Sequence, residues 1–580
     1  MVSTGAVPFP GYPGVTVERD VRAQMRDGVT LMADVYRPAG DGPFSVILIR
    51  LPYDKTGAEN ISYAHPAWYA NHGYIVVSQD TRGRYASEGE WYPFRYEAED
   101  GYDSIEWAGA LPGANGKVGM YGFSYAGATQ LLPAVLRPPS LVTMSPAMTG
   151  SQYYDGWMYN SGALSLAFAA SWAASLGINN AKRRHDDGAM ATYASAFAGA
   201  MGWHWYLPLN GHPPLQAGDT SYFFDWLSHP TYDDYWKQWS TDEDYSRIDI
   251  PAMHVAGWYD IFLAGTVKNF VSLQKKAGSE RARRNQKLII GPWFHIPWKP
   301  MIGEASDNAS PNVVDDLQLQ WFDRFLKGVE LVESVAPVLL FVMGEDRWRE
   351  YGEWPPAGSN PTPMYLHSGG RANSAYGDGT LSDSHPGVEL PDVFTYDPGI
   401  PNQSQGGHSC CFQFAAPMGP ADQNPSERYT QVLVYTTEPH VEDMLLIGDV
   451  SVVLYAASSA VDTDWTARLC RVDSHGVSIN LQEGIVRARF RDSLTNPTLI
   501  EPNRVYEYRI ELGPVGALIP AGDRLRVTIS SSDFPQWDRN MNTGGPLGEE
   551  AASAGITATQ VVLHDSEHPS HVILPIMKGR

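Results

Sequence analysis

The sequence predicts an α/β fold that carries an inserted helical segment and is followed by a separate all-β domain. Three observations lead to this prediction. In the first half of the chain, short apolar runs alternate with helix-like segments, which is typical of a parallel sheet with crossover helices. The stretch 152–243 interrupts that rhythm with Ala-rich helical sequence. From about residue 361 the runs become short and β-rich, separated by Gly, Pro, Asn and Asp.

The α/β part is predicted to begin with a hairpin and to continue through a series of strands. Residues 15–38 alternate apolar and polar side chains around Arg26-Asp27-Gly28, which is a hairpin signal. The helix predicted over 97–110 and the amphipathic stretch 315–327 would cover the sheet. The predicted strands of the sheet are 44–50, 74–78, 118–121, 141–145, 252–256 and 287–290.

The insertion, 152–243, is predicted to form a helical cap, so that the α/β domain comprises 1–151 and 244–360. The insertion contains seven of the 18 Trp residues and has helix-forming stretches at 164–176 and 189–201. Segments inserted after a strand of such a sheet commonly shield a ligand pocket. We therefore expect some of the cap aromatics to face a substrate.

The third domain, 361–580, is predicted to be a jelly-roll-like β domain. Its strand-like runs occur at the spacing of a β sandwich. The pattern alone leaves a sugar-binding module as an alternative. The clearest runs are 430–435, 450–455, 505–511 and 524–530.

Composition excludes several classes of function. The 580 residues include 42 Lys and Arg against 65 Asp and Glu, a net charge of −23. A charge of this sign and size repels nucleic acid and anionic membranes. The hydrophobic fraction of 43% and the aromatic fraction of 12% are too high for a disordered chain and supply enough apolar side chains for several cores. At this length two to four domains are expected.

The cysteines and the N-terminus bear on the cellular compartment. Only Cys410, Cys411 and Cys470 occur, and adjacent cysteines rarely bridge, so no disulfide is expected. Residues 1–14 contain neither a basic region nor an apolar stretch of the kind that begins a signal peptide. No run of about 18 apolar residues occurs in the chain. The sequence therefore predicts a cytoplasmic protein without a membrane segment.

The most informative motif lies at 122–127, which read Gly-Phe-Ser-Tyr-Ala-Gly. This is a nucleophile elbow lengthened by one residue relative to Gly-x-Ser-x-Gly. An apolar run precedes it and helix-forming residues follow, so Ser124 is expected on a tight turn between a strand and a helix. By itself the motif is also compatible with an ordinary glycine-rich turn.

Two further residues complete a reactive set. A serine nucleophile needs a histidine base that is oriented by an acid, and in this fold the chain order is serine, acid, histidine. Asp260 ends the segment Gly-Trp-Tyr-Asp, and His295 ends Gly-Pro-Trp-Phe-His. Each follows a predicted strand at its C-terminal end, where open α/β sheets place their sites. The sequence thus predicts Ser124, Asp260 and His295 as catalytic residues.

With these motifs in place, the chain resembles the cocaine esterase and X-Pro dipeptidyl-peptidase (CocE/NonD) family of serine hydrolases, most of all the bacterial cocaine esterases. The resemblance implies an α/β-hydrolase domain with an inserted helical cap and a C-terminal jelly-roll-like β domain. Segments similar to the family run along nearly the whole chain, including 25–29, 31–38, 52–55, 79–83, 86–90, 342–344, 419–423, 461–464, 496–501 and 538–540.

The resemblance also assigns an oxyanion hole. Its two donors would be the hydroxyl of Tyr53 and the backbone N–H of Tyr125. A donor from the loop after an early strand and the amide that follows the nucleophile can converge on a developing oxyanion and stabilise it.

The family's substrate pocket maps onto aromatic residues of this chain. Trp157, Trp172 and Phe262 match the residues that enclose the acyl group, and Phe412 is expected to join them. The chain departs from the family at Ile261, which stands where the cocaine esterases have glycine. A second departure is the stretch 410–412, Cys-Cys-Phe, which replaces a leucine-rich loop.

The sequence therefore predicts a serine carboxylic ester hydrolase that acts through an acyl-enzyme on neutral esters with aromatic or branched acyl groups. One alternative is an X-Pro dipeptidyl-peptidase or an α-amino acid ester hydrolase or acylase. Either would need an acidic group for the substrate ammonium. The candidates in the cap are Asp155, Asp186, Asp187 and Asp225.

An alternative of another class is a non-catalytic protein that binds a ligand or a carbohydrate. The sequence contains none of the common metal-binding or nucleotide-binding motifs, so neither a metal nor a cofactor is expected. The expected partner is a small-molecule ester, with no nucleic acid and no membrane. A homodimer is left open.

Overall fold

The chain folds around two large sheets, with a helical segment inserted into the first. The computed structural model describes residues 4–59, 63–295, 312–330 and 336–578. Over these residues the strands are β1 (Thr4–Pro8), β2 (Thr16–Gln24), β3 (Thr30–Arg37), β4 (Phe44–Leu51), β5 (Ile75–Asp80), β6 (Ala114–Phe123), β7 (Leu141–Ala147), β8 (Tyr159–Asn160), β9 (Ala163–Leu164), β10 (Ala252–Tyr259), β11 (Gln286–Phe294), β12 (Val338–Val342), β13 (Arg347–Tyr351), β14 (Ser359–His367), β15 (Thr380–Ser382), β16 (Asp392–Tyr396), β17 (Leu433–Thr436), β18 (Met444–Ser458), β19 (Asp464–Val472), β20 (Ser478–Arg487), β21 (Tyr506–Ile519), β22 (Arg524–Ser530), β23 (Ala558–Leu563) and β24 (His571–Met577).

The helices lie mainly in the first half of the chain. A π-helical turn, Asp323–Lys327, continues the last of them. They are α1 (Pro66–Asn71), α2 (Glu97–Gly109), α3 (Tyr125–Ala134), α4 (Leu166–Arg183), α5 (Asp187–Ala198), α6 (Ala200–Trp203), α7 (Ser221–Ser228), α8 (Asp234–Lys237), α9 (Leu263–Lys276), α10 (Glu280–Arg284) and α11 (Asn312–Phe322).

The first sheet is mixed, with a parallel centre. Its strand order is β1-β2-β3-β5-β4-β6-β7-β10-β11-β12-β13. The strands from β5 to β12 in that order pair in parallel, whereas the pairs at both edges are antiparallel. The central strands are buried on both faces because α1 and α11 pack on one side and α2, α3 and α9 on the other. The hairpin and all six predicted strands are present in this sheet.

Between β7 and β10 the chain forms helices α4 to α8, as predicted for the cap.

The second sheet holds the C-terminal strands, in the order β16-β23-β18-β24-β14-β15-β17-β22-β19-β20, with β21 paired to β18. The α/β fold with a separate C-terminal β domain is therefore confirmed. The limits 1–151, 152–243, 244–360 and 361–580 stay a prediction.

The β domain shares a core with the first sheet. Trp258 of β10 lies among the apolar side chains of the β domain, and its Nε1–H donates to the carbonyl of Phe341 at 2.6 Å. The N–H of Met343 donates to the carbonyl of Gly516 at 3.0 Å. The packing of Trp258 against Gly516 of β21 thus joins the β domain to the strand that leads to Asp260, and the Met343 bond joins it to the end of β12. None of the described helices combines the length and the apolar character that crossing a membrane requires.

Candidate active site

Ser124 occupies a strained turn between β6 and α3. Its backbone angles are φ 61° and ψ −127°, a combination that non-glycine residues rarely adopt and that clusters at functional sites. The turn also requires glycine on both sides. A Cβ at Gly122 would lie 2.6 Å from that of Ala126, and one at Gly127 would lie 2.7 Å from that of Thr149. The lengthened elbow is thus formed as the sequence predicts.

Ser124, His295 and Asp260 form one hydrogen-bonded chain. His295 Nε2 lies 2.9 Å from Ser124 Oγ, and His295 Nδ1 lies 2.6 Å from Asp260 Oδ1. Asp260 follows β10 and His295 follows β11, so these neighbouring parallel strands end at the same edge of the sheet as the elbow. All three side chains are buried. The imidazole can therefore accept a proton from Ser124 while the carboxylate stabilises the resulting positive charge.

The Tyr53 hydroxyl lies near the Ser124 side chain. It accepts a hydrogen bond from Trp172 Nε1 at 3.0 Å. The indole N–H occupies only an acceptor position of the oxygen, so the Tyr53 hydroxyl keeps its own proton for donation. Burial raises the pKa of Tyr53 to about 12, so this hydroxyl stays protonated over the range in which enzymes usually work.

Arg84 fixes the loop that carries Tyr53. Its Nε–H donates to the carbonyl of Pro52 at 2.8 Å, directly before Tyr53. Its Nη1 donates to the carbonyl of Leu176 and to Asn180 Oδ1, both on α4. The guanidinium is buried, and burial lowers its pKa. Arg84 and Trp172 together tie the Tyr53 loop to the first helix of the cap.

Tyr125 contributes through its backbone. It is the first residue of α3, so its N–H is one of those that no carbonyl of the helix accepts. Its side chain points elsewhere, because its hydroxyl donates to Glu97 Oε1 at 3.0 Å and accepts from the N–H of Phe94 at 2.8 Å. The placement is the one expected for the second oxyanion donor.

The predicted acyl-pocket residues form an aromatic cluster beside His295. Trp157 stacks on Phe262 with ring centroids 4.0 Å apart, and Phe262 meets the His295 ring edge-on at 5.1 Å. Trp172 stacks on Phe168 at 5.6 Å. All four aromatic side chains are buried. The rings of this cluster contact one another and form a continuous apolar surface rather than an open pocket.

Phe412 lies at a different part of this apolar core. Its ring contacts are with Phe197, at 5.1 Å, and with Phe414, at 6.3 Å.

The preceding residues overturn the expectation that adjacent cysteines do not bridge, since Cys410 and Cys411 form a disulfide. The backbone at Cys411 has φ 69°, and this sharp turn brings the two side chains together.

The acid side of the site is held by the β domain. Tyr259 donates its hydroxyl to the carbonyl of Asn480 at 2.7 Å, and His408 Nε2–H donates to the carbonyl of Trp258 at 2.7 Å. His408 Nδ1 lies 2.9 Å from Glu483 Oε1. The bonds at Tyr259 and Trp258 hold the end of β10 in place, directly before Asp260.

His408 and Glu483 form a buried ion pair. Burial disfavours the charged imidazole, but the Glu483 carboxylate outweighs that effect and raises the pKa of His408. For Glu483, burial is likewise outweighed by His408 and Arg468, which lower its pKa to about 2. Both groups line a cavity of about 200 Å³ that also reaches Asp155 and Asp260.

The four cap carboxylates named from the sequence lie in different surroundings. Asp186 caps α5, accepting the N–H of Ala189 at 2.9 Å, and Asp187 is exposed in the same turn. Asp225 accepts the hydroxyl of Tyr92 at 2.7 Å. Asp155 accepts the N–H of Ser161 at 2.8 Å and lines the cavity on the acid side.

Sequence reasoning missed the supporting residues. Arg84, His408 and Glu483 lie outside any recognisable catalytic motif, and each acts through a partner far away in the chain. Charged side chains in β-rich or glycine-rich stretches are ordinarily exposed to solvent, so nothing in the sequence distinguishes these three residues. Their burial distinguishes them, and burial is known only from the structure.

Two family models cover most of the chain. The model of the X-Pro dipeptidyl-peptidase (S15 family) matches residues 27–297. The model of the X-Pro dipeptidyl-peptidase C-terminal non-catalytic domain matches residues 331–573. Cocaine esterase from Rhodococcus sp. (strain MB1 Bresler) is 37% identical over 97% of this chain and 99% of its own length.

Solved structures with the same fold extend over the whole chain. An aminopeptidase from a marine sediment archaeon, Thaumarchaeota archaeon, superposes with a TM-score of 0.82 at 23% identity, covering 99% of this chain and 98% of its own. An α-amino acid ester hydrolase reaches 0.79 at 24% identity, covering 98% of each chain. A CocE/NonD family hydrolase from Staphylococcus aureus reaches 0.71 at 19% identity, covering 97% and 94%. At these identities the likeness concerns the fold alone.

Proposed function

The chain belongs to the X-Pro dipeptidyl-peptidase (S15) and cocaine esterase family of serine hydrolases, and from this premise we propose that it hydrolyses neutral carboxylic esters with aromatic or branched acyl groups. The observation that carries the proposal is the hydrogen-bonded chain from Ser124 through His295 to Asp260. It lies next to a buried aromatic cluster.

The reaction proceeds by double displacement. Ser124 Oγ attacks the acyl carbon while His295 Nε2 takes its proton, and Asp260 stabilises the imidazolium. The carbonyl oxygen becomes an oxyanion that accepts hydrogen bonds from the Tyr53 hydroxyl and the Tyr125 N–H. His295 returns the proton to the departing alcohol. A water molecule then repeats the sequence on the acyl-enzyme, which releases the carboxylic acid and restores Ser124.

The preference for a neutral acyl group follows from the surroundings of His295. Trp157, Trp172 and Phe262 present apolar ring surface, and an aromatic pair contributes about 0.5 to 1.5 kcal/mol beyond the burial of area. An ammonium group buried there without a partner would be strongly disfavoured. Among the four cap aspartates, Asp186 and Asp225 accept hydrogen bonds away from the site and Asp187 is exposed. Asp155 accepts the N–H of Ser161 and lies on the acid side.

The test is a comparison of kcat/KM across substrate classes. The panel contains nitrophenyl benzoate, nitrophenyl butyrate, phenylglycine methyl ester and glycyl-prolyl anilide. We expect the two neutral esters to exceed both amine-bearing substrates by at least tenfold. If either amine-bearing substrate is preferred by that factor, the enzyme is an α-amino ester hydrolase or an X-Pro peptidase instead.

Labelling with a fluorophosphonate separates enzyme from binding protein. The reagent modifies only an activated serine, so wild-type protein should be labelled and Ser124→Ala protein should not. Labelling of both proteins to the same extent would place the nucleophile elsewhere. A wild type that is not labelled and does not turn over any ester would support a non-catalytic binding protein.

A further inference from the structure

The cysteine pair of the β domain lies next to the proposed base. A ring nitrogen of His295 and the sulfur atoms of Cys410 and Cys411 all lie within 4.8 Å of one another. His295 and Cys410 are buried, whereas Cys411 is partly exposed. The mechanism proposed above uses neither cysteine. The loop therefore places two sulfur ligands at a histidine that faces the nucleophile.

These ligand types suit a thiophilic divalent cation. Thiolate sulfur and imidazole nitrogen are the groups that bind zinc and softer ions, and two sulfurs with one nitrogen leave a fourth tetrahedral position open. Around a tetrahedral zinc ion such atoms lie roughly 3.5 to 3.8 Å apart, so after reduction the two sulfurs must separate and the histidine nitrogen and the sulfurs must approach one another by up to about 1 Å. A partly exposed residue at the end of a loop can make such a movement.

Asp260 orients the imidazole for metal binding as well as for proton transfer. Its Oδ1 lies 2.6 Å from His295 Nδ1. A carboxylate bonded to one ring nitrogen is the arrangement that commonly supports a metal on the other nitrogen, because it fixes the tautomer and the ring orientation. That other nitrogen is Nε2, which lies 2.9 Å from Ser124 Oγ. A metal ion and the serine proton would thus compete for the same lone pair.

We propose that His295, Cys410 and Cys411 form an inhibitory binding site for a thiophilic divalent cation of the zinc and cadmium type, available when the two cysteines are reduced. Binding of the cation releases the two thiol protons and forms two metal–sulfur bonds and one bond to Nε2. Ser124 then has no base, and ester hydrolysis stops.

The disulfide controls access to this site. With Cys410 and Cys411 bridged, neither sulfur is a thiolate, so the cation has only the imidazole left. A phosphine reductant in water opens the bridge: the phosphine becomes a phosphine oxide, and the two sulfurs become thiols. Metal inhibition should therefore depend on the redox state of the chain.

The experiment measures binding first and activity second. The chain is reduced with a water-soluble phosphine, freed of excess reductant without air and titrated with CdCl2. The ultraviolet charge-transfer band from thiolate to cadmium reports binding without any assay of turnover. We expect a band that saturates at one Cd2+ per chain in reduced wild type and is absent from the oxidised protein and from the Cys410→Ser/Cys411→Ser double variant.

Two further variants separate this site from other thiols. Cys470→Ala is the matched control, because Cys470 is buried in β19 and lies outside the cluster, so its variant should keep the band. His295→Gln should weaken Cd2+ binding by at least tenfold. An unchanged band in the double variant, its loss in Cys470→Ala, or unchanged affinity in His295→Gln would each overturn the proposal.

The activity readout uses the same proteins. Hydrolysis of a nitrophenyl ester by reduced wild type should require at least tenfold less Cd2+ for half-inhibition than hydrolysis by the double variant, each measured against its own metal-free rate. Equal sensitivity of the two proteins would also contradict the proposal. Because the band does not depend on turnover, a wrong substrate assignment would leave the binding result standing.

Discussion

The two sides of the Ser124–His295–Asp260 chain are supported by different domains. On the nucleophile side, cap helix α4 supplies Trp172 and anchors Arg84, and both act on the Tyr53 loop. On the acid side, the β domain supplies His408 and other groups to the end of β10. The first side is aromatic and closed, whereas the second holds a buried ion pair and borders a cavity.

This difference separates two tasks. Groups on the nucleophile side touch the place where negative charge develops, so their loss should reduce the rate of the chemical step. Groups on the acid side hold a strand end in position without reaching the substrate, so their loss should reduce stability more than turnover. The α/β domain provides the reacting atoms. The cap and the β domain each orient one end of the Ser124–His295–Asp260 chain.

The largest effect should come from the nucleophile itself. Ser124→Ala removes the atom that forms the acyl-enzyme, and loss of a triad member typically lowers kcat by about 10⁴ to 10⁶. The melting temperature should not fall, because alanine is small and the backbone strain at this position remains. The measurement is kcat on a nitrophenyl ester beside a thermal melt. Wild-type turnover by the purified variant would rule out Ser124 as nucleophile.

The next effect tests the aromatic side. Tyr53→Phe keeps the ring and removes the hydroxyl that lies beside Ser124. One oxyanion donor contributes roughly 3 to 4 kcal/mol in the transition state, so kcat should fall by about 10² to 10³ with little change in KM. Steady-state kinetics on one neutral ester measures both constants. A change confined to KM would mean that Tyr53 only lines the pocket.

A smaller effect is expected from the residue that orients Tyr53. Trp172→Phe removes the N–H that donates to the Tyr53 hydroxyl, and a neutral hydrogen bond contributes about 0.5 to 1.5 kcal/mol. We expect kcat to fall by roughly three- to tenfold. Trp157→Phe is the matched control, since it loses the same ring area but its indole N–H makes no hydrogen bond within the described residues. Equal losses of kcat in both variants would show that ring area, rather than the bond to Tyr53, matters.

The smallest change in turnover should follow from the acid side. His408→Gln removes the imidazolium paired with the Glu483 carboxylate, while Arg468 stays nearby. Because a hydrogen bond to a charged group contributes about 1.5 to 3 kcal/mol, the free energy of unfolding should fall by about that amount. Thermal melts and kcat are compared for the same preparation. A large fall in kcat without a change in melting temperature would reverse the division of tasks described above.

The pH dependence of this pair sharpens the test. Because the pKa of His408 is raised above 6.5, its contribution to stability is complete below pH 6.5 and is lost as the pH rises through the raised value. Because the pKa of Glu483 is lowered from 4.5 to about 2, its contribution is complete above pH 4.5 and is lost as the pH falls toward 2. The melting temperatures of wild type and His408→Gln should therefore differ most between pH 4.5 and 6.5.

The sequence predicts the parts of the molecule that depend on local patterns. The strand rhythm predicts the first sheet, and the elbow with its two glycines predicts the turn at Ser124. Asp260 and His295 were recognisable because each directly follows an apolar strand. In the same way, the family resemblance located Tyr53 and the aromatic residues of the cap. All of these features lie within a few residues of the motif that reveals them.

The features that could not be predicted depend on contacts between distant segments. Trp172 was expected in a pocket, but its bond to the Tyr53 hydroxyl depends on how α4 crosses the loop. Likewise, Cys410 and Cys411 reach His295 only because the β domain folds back over the end of β11. The disulfide itself depends on the left-handed backbone at Cys411, which a cysteine in sequence does not indicate.

The hydrogen bond from Tyr259 to the carbonyl of Asn480 joins two residues that are 221 positions apart in the sequence. Because the ribosome makes the chain from its N-terminus, Tyr259 is made well before its partner. At a ribosomal rate of about 5 to 20 residues per second, roughly 10 to 45 seconds separate the appearance of the two partners. Throughout that interval the nascent chain already holds Ser124 but lacks the complete β domain that fixes the strand before Asp260. The newly made protein is therefore expected to acquire hydrolytic competence late, after most of its backbone has left the ribosome.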